Sequence, residues 1–146
     1  MRNQPQRLRL SQIVICCLAG LLMACGGSPA AALPSTVEVS LKSFGIQSNT
    51  AKARAGKVTF SVTNQSSDLV HEMLVVKSDQ TPDALPYNTN EGRLSEDQID
   101  SKGEVPELEP SKNGTVSLDL APGKYLLLCN IATHFKKGMV IPLEVR

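Results

Sequence analysis

Cys129-Asn130-Ile131-Ala132-Thr133-His134-Phe135-Lys136-Lys137-Gly138-Met139 places a thiol, an imidazole and a thioether on one short segment, spaced C-x4-H-x4-M. A thiolate and imidazole nitrogens in a trigonal plane, with a Met sulfur at a longer axial distance, form the donor set of a copper site. The plane needs a second imidazole. The sequence has one other histidine, His71, just ahead of the apolar run Met73-Leu74-Val75-Val76. The order His, Cys, His, Met is complete, with no surplus histidine. Taken singly, each residue has a plainer reading, because a solitary histidine or a methionine beside a strand is usually a packing residue. Their joint spacing after a Pro-Gly turn singles them out.

Three segments carry a family resemblance: Val70-His71-Glu72, then Ala121-Pro122-Gly123-Lys124-Tyr125 leading into Cys129, then the run to Met139. They resemble the cupredoxins, small blue-copper electron carriers, and most of all the rusticyanin, auracyanin and sulfocyanin-like subgroup. The resemblance covers residues 37–146. It implies a Greek-key β-sandwich or barrel with one copper per chain, held by His71, Cys129, His134 and Met139. It also implies that His134 presents its ring edge at the surface as the electron's exit. Phe135, Lys136 and Lys137 beside it would then form a contact patch suited to an acidic redox partner. One position departs from the pattern. Many members have Asn after the first histidine, where it ties that strand to the ligand loop. Here the residue is Glu72, so that tie is open.

Outside the motif, the periodicity is that of strands. Val37-Glu38-Val39-Ser40-Leu41, Val58-Thr59-Phe60-Ser61-Val62-Thr63 and Val116-Ser117-Leu118-Asp119-Leu120 alternate apolar and polar residues, the mark of half-buried strands. Residues 69–76, 125–129 and 140–145 are more continuously apolar. Pro142 removes one ladder donor, which predicts a sheet edge or a bulge there. Ala55-Gly56, Asn64-Gln65-Ser66-Ser67, Lys112-Asn113-Gly114 and Pro122-Gly123 punctuate the strands. The fold class is all-β, one antiparallel sandwich or barrel. Residues 78–114 show no clear strand. Ser95 and Gln98 fit a capping box and predict a short helix over 94–100. Residues 91–109 hold seven acids against Arg93 and Lys102. This insertion is read as a solvated face, with a docking surface for a basic partner as the alternative.

The N-terminus is not part of that fold. Arg2, Arg7 and Arg9, an apolar stretch over 13–22, and Leu22-Met23-Ala24-Cys25 describe a secretory signal, residues 1–24, ending in what resembles a bacterial lipobox. Cys25 would carry the lipid, and residues 25–35, rich in Gly, Ala, Ser and Pro, read as a tether. The expected location is the periplasm or cell exterior, anchored to a membrane. Cys16 and Cys17 leave with the signal, so Cys129 is the one thiol left for the domain and has no disulfide partner. Metal ligation would protect it.

From Cys25 onward the chain has twelve basic and fourteen acidic residues. A near-neutral domain with three Phe, two Tyr and no Trp argues against nucleic acid as a partner. The reading is a monomeric, membrane-tethered electron carrier that meets redox partner proteins. The alternative is a copper-delivery protein using the same ligands. A single thiolate with an axial Met favours the carrier, and Met73 is the only other Met in the domain. An enzyme is not expected: four protein ligands leave no open position for substrate, and no spare histidine serves acid–base chemistry.

Overall fold

The computed structural model describes residues 32–146. The expected signal, Cys25 and most of the tether lie outside the described residues. Eleven strands follow in order: β1 (Thr36–Lys42), β2 (Gly45–Ser48), β3 (Lys52–Ala53), β4 (Gly56–Asn64), β5 (His71–Lys77), β6 (Tyr87–Asn88), β7 (Arg93–Leu94), β8 (Asp100–Leu108), β9 (Asn113–Leu120), β10 (Gly123–Leu128) and β11 (Val140–Val145). They form one sheet in the order β2-β1-β4-β9, a second in the order β3-β11-β10-β5-β8, and the small β6-β7 pair. The all-β expectation holds, but the sheets are mixed and not purely antiparallel: β1 pairs parallel with β4, and β3 with β11.

Alternation builds the core. Val37, Val39, Leu41, Val58, Phe60 and Val62 are buried and meet Met73, Val75, Tyr125, Leu127, Cys129, Met139 and Leu143 from the second sheet. The intervening residues of that sheet face the other way, because successive strand side chains point to opposite faces. Leu74, Val76, Leu126 and Leu128 there form a separate apolar cluster with Leu85, Leu94 and Phe135. The continuous apolar runs over 69–76 and 125–129 thus serve two cores, one on each face.

Pro142 behaves as its missing donor dictates. It lies opposite Leu126. The Cys129 N–H donates to the Met139 carbonyl at 3.0 Å, and the N–H groups of Glu144 and Arg146 donate outward to Ala51 and Ala53. Alternation therefore points the Pro142 nitrogen outward as well, where β3 no longer reaches and no donor is needed.

Two expectations for residues 78–114 are corrected. The segment includes β8, nine residues long and paired antiparallel with β5 at the sheet edge. Only Val105 and Leu108 of β8 are buried, so the strand carries almost no apolar signal. Gly103 and Gly114 let it lie against β9: a Cβ on Gly114 would fall 2.6 Å from Val105 Cγ1. The helix predicted over 94–100 is a single 3-10 turn, Glu96–Gln98, and Ser95 makes no side-chain cap bond. Ile99 is already extended, because pairing with β5 begins at Asp100 and takes the chain into the sheet.

Candidate metal centre

His71, Cys129 and His134 come together as a buried group whose ligand atoms all lie within 4.8 Å of one another, the one such group of three among the described residues. Cys129 Sγ is 3.4 Å from His134 Nδ1 and 3.9 Å from His71 Nδ1. His71 opens β5, Cys129 follows the last residue of β10, and His134 precedes the 3-10 turn Phe135–Lys137. Met139 stands opposite Cys129 through the backbone bond described above, so both side chains face the inter-sheet core, where both are fully buried. His71 shares that face with Met73 and Val75, by strand alternation. The four residues singled out by spacing are therefore brought to one place.

Each ligand has its own support. Ser66 Oγ sits 2.8 Å from His71 Nε2, which leaves Nδ1 directed at Cys129. Ser66 is held in turn: its N–H donates to Asn64 Oδ1, and Asn64 Nδ2 donates to the carbonyls of Leu69 and Leu108. Asn64 and Ser66 are buried, and in the sequence they looked like nothing more than a polar turn. Glu72 supplies the tie left open above. Its Oε1 accepts the Asn130 N–H at 3.1 Å, joining β5 to the ligand loop.

The electrostatics suit a metal. Burial pushes the Cys129 thiol up to about 11, while backbone N–H groups of Glu72 and Ile131 favour the thiolate and pull the other way. Burial, then the neighbouring His134, holds His71 below its ordinary range. Burial, then Lys137, does the same for His134. Both imidazoles are thus kept neutral, the form that donates a lone pair. A buried thiol that resists ionisation gives up its proton most readily to a cation that takes its place. The donor set, one sulfur with two imidazole nitrogens and a thioether, fits copper.

The surface over the site differs from expectation at two residues: Phe135, and His134, whose ring edge was expected at the surface and is instead buried. Phe135 is buried in the outer cluster, its ring stacked near Tyr87 at 6.2 Å, because that 3-10 turn directs it under the sheet rather than outward. The exposed aromatic is Phe44, in the two-residue turn between β1 and β2 and 36% exposed. Its ring meets the His134 ring edge-on at 5.3 Å, leaving His134 only 6% exposed. Lys137 Nζ lies 3.8 Å from the Phe44 ring centre, and Lys136 Nζ 4.8 Å from that of Tyr87. Phe44 adopts φ of 58°, unusual for a bulky side chain. Nothing in the spacing of the ligand motif points to a residue so far ahead in the chain.

No protein-family model matches the chain, and no curated protein matches it in sequence. Solved structures do. A dithionite-reduced auracyanin from the photosynthetic bacterium Roseiflexus castenholzii aligns over 79% of this chain and 99% of its own, at TM-score 0.60 and 22% identity. Auracyanin A from Chloroflexus aurantiacus, described as a "blue" copper protein, aligns over 77% and 99%, at TM-score 0.58 and 22% identity. Rusticyanin from Thiobacillus ferrooxidans aligns over 77% and 78%, at TM-score 0.55 and 16% identity. The chain has the cupredoxin fold. Within it, His71, Cys129 and His134 form one buried group that could hold a metal ion, with Met139 on the same face.

Proposed function

We propose that this protein is an electron carrier with one type 1 copper, held by His71, Cys129, His134 and Met139. The observation that carries the reading is the buried His71–Cys129–His134 group, with Met139 on the same face. Copper supplies the change between Cu(I) and Cu(II). The protein holds the donors on a sheet and a braced loop, so that neither oxidation state requires much rearrangement. The solved neighbours include a protein described as "blue" copper, which supports the same reading.

Burial argues against copper delivery, since a transferring partner would have to reach Cys129, His71 and Met139, none of which is exposed. It also leaves no open position for a substrate, so an enzyme is not proposed. The electron's route is through His134 and the Phe44 ring that lies on it. Lys137, over that ring, and Lys136, over Tyr87, are exposed and would attract an acidic partner surface. Export and anchoring through Cys25 rest on the sequence signal. Cys25→Ser should move the mature protein from the detergent phase to the aqueous phase; an unchanged partition would rule out the lipid.

The deciding experiment adds Cu(II) to residues 26–146 and records visible and spin-resonance spectra. An intense visible band with narrow copper hyperfine splitting, lost in Cys129→Ala, is expected. A colourless protein that holds Cu(I) would transfer the reading to copper delivery. No copper retention would overturn the ligand assignment.

A further inference from the structure

We propose that residues 87–98, part of the acidic insertion, are a brace that holds the ligand loop in its metal-ready shape before metal arrives, with Asn130 as the positioning residue. Asn130 follows Cys129 directly and is fully buried. Its side chain spends every bond on the insertion. Oδ1 accepts the Leu94 N–H at 2.7 Å, and Nδ2 donates to the Leu94 carbonyl at 3.2 Å and to Glu96 Oε1 at 2.8 Å. Asn130 thus pairs with Leu94 as a neighbouring strand would. A second fastening lies three residues on. The Thr133 N–H donates to the Gly92 carbonyl at 2.6 Å, and Thr133 is held at φ of 72°, a left-handed conformation that a β-branched residue rarely adopts. Gly92 is also left-handed, at 72°, and a Cβ there would lie 3.4 Å from the Thr133 nitrogen. Beneath both, Phe135 packs with Leu85 and Leu94 in the outer cluster. Apart from these contacts, the segment from Cys129 to His134 is held by the Cys129–Met139 bond, by Glu72 on the Asn130 N–H and by the His134 N–H on the Ile131 carbonyl, none of which fixes residues 132 and 133 against the rest of the fold. The 3-10 turn at Glu96–Gln98 then has a purpose, since it aims the Glu96 carboxylate back at Asn130.

The test has one arm without metal and one with it. In the full-length metal-free protein, Cys129 is buried and should react slowly with a thiol reagent. Its rate must be resolved from the other cysteines by mass spectrometry of the Cys129 peptide. Asn130→Ala should speed that reaction on the order of tenfold or more, from the loss of about three hydrogen bonds. Glu96→Ala changes an exposed residue, leaves folding intact and should speed it a few fold. Glu96→Gln keeps an acceptor oxygen and should stay at the wild-type rate. The second arm rests on the copper reading: Asn130→Ala loaded with Cu(II) should show a displaced visible band and a widened hyperfine splitting, and Glu96→Gln should show neither. Should Asn130→Ala fail to fold, the Glu96 pair decides in the metal-free arm. Equal thiol rates for Glu96→Ala and wild type, or for a folded Asn130→Ala and wild type, would overturn the brace. Absence of copper colour in the wild type, with the thiol effects intact, would overturn the copper reading and leave the brace standing.

Discussion

His71 and His134 face the same sulfur but are held by different means. His71 sits in a strand, paired with Leu108 across a ladder, with its far nitrogen fixed by Ser66 and Ser66 fixed by Asn64. His134 sits in a loop between β10 and β11, positioned by a 3-10 turn behind it, the insertion beside it and an exposed phenyl ring above it. The strand histidine inherits its place from the global fold. The loop histidine depends on local contacts that the fold does not require. Stability and ligand geometry should therefore come apart: changes under His71 cost folding free energy, and changes around His134 alter exposure and kinetics more than folding.

The largest effect is expected under the strand. Asn64→Ala removes two donated bonds and one accepted bond from a fully buried site and should destabilise the metal-free protein by about 2–4 kcal/mol, read from urea midpoints. A loss below about 1 kcal/mol would contradict the account of how His71 is anchored. Copper binding should follow the thiol. With Cys129 raised to about 11, loading releases a proton, and apparent affinity should rise as pH increases through the neutral range. An affinity flat with pH would mean that the thiolate already exists without metal.

Glu72 lies between the two regions and gives a prediction with a definite sign. Burial first, then Glu96, Glu104 and Glu107, push its carboxyl from an ordinary 4.5 to about 7, while the Asn130 N–H pulls it down. Between those two values the unfolded chain has lost the proton and the folded protein still holds it. Rising pH therefore lowers stability across that window and has no further effect above it. His71 and His134, both held below their ordinary range, act with the opposite sign in part of this window, so the Glu72 contribution is the difference between wild type and Glu72→Gln in melts of metal-free protein at pH 5 and pH 7.5. A contribution of the reverse sign in that comparison would mean that the hydrogen bond from Asn130 dominates over burial.

Around His134 the expected changes in stability are smallest. Phe44→Gly relieves a left-handed conformation worth about 1 kcal/mol and loses ring contacts of similar size, so the melting temperature should barely change. Reaction of His134 with an imidazole-modifying reagent should nevertheless rise several fold, with His71 as the internal control. If both histidines respond equally, Phe44 is a structural turn residue and not the cover of His134. Replacing Lys136 and Lys137 by Glu should leave the fold unchanged and slow electron transfer to an acidic partner, more at low salt than at high.

The sequence determined the donor set, because ligand chemistry admits few residue types and this chain has two histidines in all, only one of them outside the C-x4-H-x4-M segment. It also determined the strands of the sandwich that alternate apolar and polar residues, since one buried face imposes period two. It did not determine β8, whose residues are mostly exposed at a sheet edge and so bear little trace of burial. It gave a helix where pairing with β5 imposed an extended chain, because local capping preference is worth less than a ladder of strand bonds. It offered no means of linking Ser66 to His71, Asn130 to Leu94 or Phe44 to His134. Those pairs join residues whose chemistry is ordinary in isolation. Only the tertiary structure, by bringing a hairpin turn, a polar turn and an insertion to one end of the sandwich, decided that they would meet the candidate ligands and the loop that carries them.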